Sequence, residues 1–193
     1  MPHLILGLVV WNLISSVIIE SCRIFESSHT YIKDLNTPIS VFICVLMWRN
    51  LILFSYQFIV FIIAAFVIPI QPEPSWFFAP FGLMVIIVNL TWIALLFALI
   101  STRYHDFIEI VGNIIRIMFF LTPIIWLPDR LGDHDFLLNI NPFYHFIEVF
   151  RAYLIGTDVN PISWPVVLTS TVIGWAISIY AYGRYKDRIA YWV

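Results

Sequence analysis

The chain has 193 residues, of which 61% are hydrophobic and 11% charged, with a formal net charge of −2 and a mean hydropathy of +0.92. Soluble domains of this size are nearer half apolar and a quarter charged, so this composition excludes an ordinary soluble globule and defines an integral membrane protein. Without a basic excess there is no electrostatic footprint for nucleic acid.

Residues 4–19 form the first apolar run, ended by Glu20 and Arg23. It has neither the basic start nor the small-residue cleavage site of a signal peptide, and reads as a span. A polar connector follows to Pro38, within which residues 26–35 suit a short surface helix that stops before Asn36 and Pro38. Residues 41–70 are the second span, long enough to cross with tilt. Arg49, in its first third, is placed to snorkel back towards the headgroups. Residues 71–75 make a proline-stiffened turn, residues 76–100 the third span, residues 101–106 a short polar turn, and residues 107–127 the fourth span.

A polar, acidic loop containing Asp133, His134 and Asp135 then leads into a short apolar helix, residues 142–155. Asn141 suits its N-cap, Pro142 its first position and Gly156 its stop. Its length is about 21 Å at 1.5 Å per residue, against a hydrocarbon core of about 30 Å, so it is expected to re-enter or lie in an interface. Residues 164–182 are the fifth span, followed by a basic tail. The expected fold is therefore an all-α integral membrane protein: a single transmembrane domain over residues 1–193, with five transmembrane helices and a short re-entrant or interfacial outer helix.

Basic residues set the orientation. Arg23, Lys33, Arg103, Arg184, Lys186 and Arg188 collect on one side, against Arg130 and Arg151 on the other. The first connector, the turn at Ser101 and the C-terminus are thus expected in the cytosol, and the short helix outside. Trp76, Trp126 and Trp164 then fall at the outer ends of their spans, as an aromatic belt does. An odd number of spans leaves the N-terminus outside, and a missing preceding helix is the simpler expectation.

Two polar stripes stand out. Glu109, Asn113 and Arg116 recur at i, i+4 and i+7, within about 40° of one another on a helix of 3.6 residues per turn. An arginine near the middle of a span is costly on the lipid face, so the stripe should line a solute path, face a partner or form a structural pair. His145, Glu148 and Arg151 make a second stripe on the short helix, either an outer gate or the solvated face of an interfacial helix. No zinc-like spacing accompanies His145. Cys22 and Cys44 match no metal or redox spacing and read as reduced packing residues. The chain has no phosphate-binding glycine loop with its lysine and no nucleophile–histidine constellation on a plausible scaffold, so enzyme activity is not expected. Aromatic residues make up 18% of the chain and would suit a glycan path, although interfacial anchoring explains most of them.

Several ordered motifs carry a resemblance. Ser101-Thr102-Arg103-Tyr104-His105-Asp106, then Phe119-Phe120-Leu121-Thr122-Pro123-Ile124-Ile125-Trp126, then Asn141-Pro142-Phe143 through Arg151 to Gly156, resemble the type-2 ABC exporter permeases. Together with the closing Arg188-Ile189-Ala190-Tyr191-Trp192-Val193, they look like the branch that exports O-antigen, capsule or teichoic-acid chains. The resemblance covers essentially the whole chain. It implies six spans per subunit, so this chain is expected to begin inside the family's second span, as an N-terminally truncated form. It further implies a homodimer in the bacterial plasma (inner) membrane with two copies of an ABC ATPase, which use ATP and Mg, and a lipid-linked polysaccharide or polyol-phosphate substrate.

On the same resemblance Lys33, Asp34, Asn36, Pro38, Arg103, Tyr104 and Asp106 would couple to the ATPase. Asn141, Pro142, Tyr144, His145, Glu148, Arg151 and Gly156 would belong to an outer gate, and Glu109, Asn113 and Arg116 to the substrate path. The competing expectations are a permease for a drug or small lipid, a membrane-embedded glycosyl- or acyltransferase, a purely structural membrane subunit and a non-functional fragment.

Overall fold

Hydrocarbon offers backbone groups no water, so a segment that crosses it must satisfy its own N–H and C=O groups. Helices do this locally, and the chain is built from them. The computed structural model describes residues 2–27, 39–67, 74–126 and 135–192, and among these no strand occurs. In order they form α1 (Pro2–Ser21), α2 (Ile24–Ser27), α3 (Ile39–Val67), a 3-10 turn (Pro74–Phe78), α4 (Ala79–Arg103), α5 (Phe107–Leu121), α6 (Asp135–Ile140), α7 (Pro142–Ile155) and α8 (Ser163–Trp192). Among the described residues 4 helical stretches are long and apolar enough to cross a membrane: Pro2–Ser21, Ser40–Ala65, Pro74–Arg103 and Ser163–Lys186. The protein is an all-α, multi-pass membrane protein.

Two elements differ from their expected extents. The stretch 107–127 was expected to span, but α5 has 15 residues, or about 22 Å at 1.5 Å per residue. Proline explains the stop. Pro123 disfavours helical geometry at the residue before it, and Thr122 is extended at φ −86°, ψ 136°. The last helix, by contrast, continues through the expected basic tail to Trp192. Of the expected surface helix 26–35, only its first residues are described, within α2; the rest lies outside the described residues.

α1 is the central helix. Of its most apolar stretch 56% is buried, against 28% for α3 and 17% for α8. Leu6, Val10, Ile14 and Val17 are fully buried, and α1 packs against α3, α4, α5 and α7. α3 and α8 turn large apolar side chains outward instead, among them Val60 and Ile63 on α3 and Val172 and Ile179 on α8. Such surface would aggregate in water, and it suits contact with lipid or with another membrane subunit.

The most extensive helix pairing, α4 with α8, carries a polar seam. Asn89 is fully buried, donates to Thr171 Oγ1 at 2.7 Å, and accepts from Ser170 Oγ at 2.9 Å and from Trp92 Nε1 at 3.0 Å. Inside hydrocarbon such bonds tie helices together, because an unpaired amide there is costly. Arg49 also finds a protein partner: its Nη2 lies 2.7 Å from Glu20 Oε2, which accepts from Asn50 Nδ2 as well. The expected snorkelling arginine thus pins α3 to the end of α1.

Candidate functional site

The signals read at residues 141–156 act where they stand. Asn141 Oδ1 accepts from the Phe143 N–H at 3.0 Å, Pro142 takes the first helical turn, and Gly156 sits in the left-handed region at φ 77°. The Gly156 N–H closes on the Ala152 carbonyl at 3.0 Å, ending α7. A residue with a Cβ would be strained at that φ.

α7 is seated against α4 by a second glycine. A Cβ on Gly82 would collide with the backbone carbonyl of Val149, so the two helices approach backbone to backbone there. The side chains of Tyr144 and of Phe146 through Ala152 are all buried. Of the two readings of the His145/Glu148/Arg151 stripe, the solvated face fails, because the stripe points inward. His145 is fully buried and Arg151 is 3% exposed.

Each member of the stripe has a partner from another part of the chain or from its own turn. His145 Nε2 lies 3.0 Å from the Asn139 carbonyl oxygen, which can only accept, so this nitrogen carries the proton. Nδ1 lies 2.8 Å from the Ser163 hydroxyl at the start of α8. Arg151 Nη1 donates to the Pro123 carbonyl at 2.8 Å, and Nη2 donates to Glu148 Oε2 at 2.8 Å. Asn141 Nδ2 donates to Thr122 Oγ1 at 2.9 Å. Two separate bonds therefore fasten the end of α5 to α7, and a third fastens α8. The helix break at Pro123 leaves a carbonyl that the helix cannot use, and Arg151 takes it.

Sequence reasoning singled out the stripe but missed its partners Asn139, Thr122, Pro123 and Ser163, as it missed Asn89. A signal existed for Thr122 and Pro123, in the proline break. Ser163 and Asn139 carry none, because small polar residues near helix ends are common for capping alone. Pro142 is exposed beside the buried node, and Tyr144 is buried within it.

The Glu109/Asn113/Arg116 stripe lies on the opposite kind of surface. All three residues are exposed, on the face of α5 turned away from the buried Val111 and Ile115. Arg116 Nε donates to the Gly112 carbonyl of its own helix at 3.2 Å. Ile110, Ile114, Ile117 and Phe120 are exposed beside the stripe, so one protomer presents a polar strip bordered by apolar surface.

Arg103, Tyr104 and Asp106 lie together in the turn between α4 and α5, all exposed. The Arg103 guanidinium carbon lies 5.4 Å from the centre of the Tyr104 ring, and the turn closes where the Phe107 N–H meets the Tyr104 carbonyl at 3.0 Å. A shallow hollow of about 530 Å³ opens on residues 103–107 and Ile110. Since α4 starts beside α7 and runs away from it, this turn lies at the far end of the bundle from α7. Lys33, Asp34, Asn36 and Pro38, expected to couple to the same partner, lie outside the described residues, as do Asp133 and His134.

The described residues thus form a bundle of membrane-spanning helices with a buried, capped, half-length helix at one end and a compact polar turn at the other. The profile of the ABC-2 type transporter family matches residues 1–155, and the chain belongs to that family. It is a permease subunit of an ABC transporter, a transport subunit rather than an enzyme, and a partner of an ABC ATPase subunit. No match was found among curated proteins.

Proposed function

We propose that the chain is the membrane permease of an ATP-driven exporter of lipid-linked polysaccharide or polyol-phosphate polymers. Two copies form the path in the plasma (inner) membrane, with their C-termini in the cytosol. Two ATPase subunits bind ATP and Mg and drive it, through residues 33–38 and the turn Arg103, Tyr104 and Asp106. α7 covers the outer mouth. The observation that carries the reading is the exposed stripe of Glu109, Asn113 and Arg116. A carboxylate, an amide and a guanidinium on the outward face of a helix lodged among membrane spans need water, a polar solute or a second protein surface. Two α5 helices facing one another supply all three and leave a polar strip for a glycan or polyol-phosphate to follow. The motifs from Asn141 through Arg151 to Gly156 support the polymer over a small lipid.

The test is reconstitution of the tagged chain with its co-purified ATPase in vesicles. ATP hydrolysis should rise with an added lipid-linked glycan and stay unchanged with the free lipid carrier. Stimulation by small lipids alone would replace the polymer reading with a small-lipid exporter, and failure to recover an ATPase would overturn both.

A further inference from the structure

Arg116 has more donors than its own protomer offers acceptors. A guanidinium is a planar fork of N–H groups with no acceptor of its own. The Arg116 Nε–H meets the Gly112 carbonyl at 3.2 Å, whereas among the described residues neither Nη group has an acceptor and no carboxylate pairs with the charge. The Gly112 bond folds the side chain back along α5, where a Cβ on Gly112 would stand 3.9 Å from Nη2. The fork therefore lies level with Gly112 and Asn113, about 9 Å along the helix from Asp106 at 1.5 Å per residue. Glu109 is about one turn nearer to Asp106, exposed, and forms no ion pair among the described residues.

Symmetry decides what two such forks meet. In the arrangement proposed above, on which this site rests, two copies face one another through α5. Copies inserted with the same topology are related by a two-fold axis along the membrane normal, so equivalent residues lie at equal depth. The Glu109 carboxylates then share a level close to the polar turn, where water screens them. The Arg116 forks share a deeper one, inside the hydrocarbon layer. Two guanidiniums across a path at that depth repel one another, and unpaired charge there is costly. An anion with several acceptor oxygens relieves both costs, and phosphate matches the fork through paired N–H···O bonds. The Asn113 amide, on the same exposed face and level with the fork, supplies a neutral donor.

We propose that the two Arg116 side chains form a phosphate site inside the path, which takes the phosphodiester or diphosphate group of a lipid-linked substrate, with Asn113 donating beside them. Arg116 thereby selects anionic substrates over neutral ones of the same chain length.

The test uses the full chain in phospholipid vesicles and phenylglyoxal, which modifies accessible arginines; modified peptides are quantified by mass spectrometry. Arg184, exposed on α8, is the internal reference. Farnesyl diphosphate should slow modification of Arg116 several-fold and leave Arg184 unchanged, and farnesol should protect neither. Protection by inorganic diphosphate alone would keep the site and show that the lipid chain adds nothing to it. Equal effects on Arg116 and Arg184, or no protection at all, overturn the proposal. So does an Arg116 that is unreactive without added anion, and reactivity regained in Glu109→Gln would assign it to an ion pair between copies. The two-copy arrangement is read separately, by linking Asn113→Cys to its counterpart with a short bismaleimide in a Cys44→Ser background. With that link formed, missing protection refutes the phosphate site alone; without it, the facing of the two α5 helices falls first and the site with it.

Discussion

Arg151 and Glu148 form an ion pair of 2.8 Å that is shut inside the protein, with side-chain exposures of 3% and 11%. One turn apart on α7, they neutralise each other, and the second arm of the guanidinium reaches across to the Pro123 carbonyl. Removing one partner of such a pair strands a charge and costs about 3–5 kcal/mol, whereas replacing both with apolar residues is often close to neutral. Arg151→Leu is therefore expected to lower the unfolding midpoint in detergent markedly, and Glu148→Leu with Arg151→Leu to recover most of it. A double variant as unstable as the single one would assign the loss to the Pro123 bond instead.

Gly82→Val places a side chain against the Val149 carbonyl, a backbone group that cannot swing aside. Overpacking of this kind costs about 1–3 kcal/mol. Here the strain falls on the seat of α7. Proteolysis of α7 in the reconstituted protein should accelerate, while the α4–α8 seam around Asn89 stays protected; uniform loss of protection would show that the whole bundle, not one seat, depends on the contact.

Arg116→Leu removes a charge whose structural bond is to its own helix backbone. The substitution makes α5 more apolar, so protein level in the membrane should hold or rise while export falls. Export at the parental rate with an unchanged protein level would dismiss the stripe as a path.

Cys22, at the end of α1, has its thiol pushed up to about 11 by burial, against an ordinary value of 9.0. Its Sγ donates to the Ile18 carbonyl at 3.4 Å. A folded-state value above the unfolded one means that the native state holds this proton more tightly. The associated stability is fully present below about pH 9 and is lost as pH rises through about 11. In a Cys44→Ser background, thiolate-directed labelling at pH 8 should be slow in native protein and fast after denaturation, and the native rate should climb towards pH 11. Rapid native labelling at pH 8 would contradict the burial of this thiol.

Much of the fold was legible because membrane helices leave few choices. Length and apolarity located α1, α3, α4 and α8, and Asn141, Pro142 and Gly156 bounded α7 to the residue. The Glu148–Arg151 stripe was visible as a stripe, but periodicity places residues on a common face without saying what that face meets. Its inward direction depends on Asn139, Pro123 and Ser163, which arrive from elsewhere in the chain. α5 was read too long because its apolar run passes smoothly through Thr122 and Pro123, although the proline was itself the mark of the stop. The Asn89 seam escaped notice since a lone asparagine in a long apolar helix has no periodic partner on its own helix.

The bonds Thr122–Asn141 and Pro123–Arg151 grip α7 at its N-cap and in its third turn from one short stretch of chain. α5 and α7 are thus joined like a rod and its handle. If α5 slid along its axis by one turn, about 5.4 Å, it would have to drag α7 with it or break both grips. Were α5 displaced along its axis from the Arg103–Asp106 turn, these two bonds would pass the displacement directly to α7, at the opposite end of the bundle.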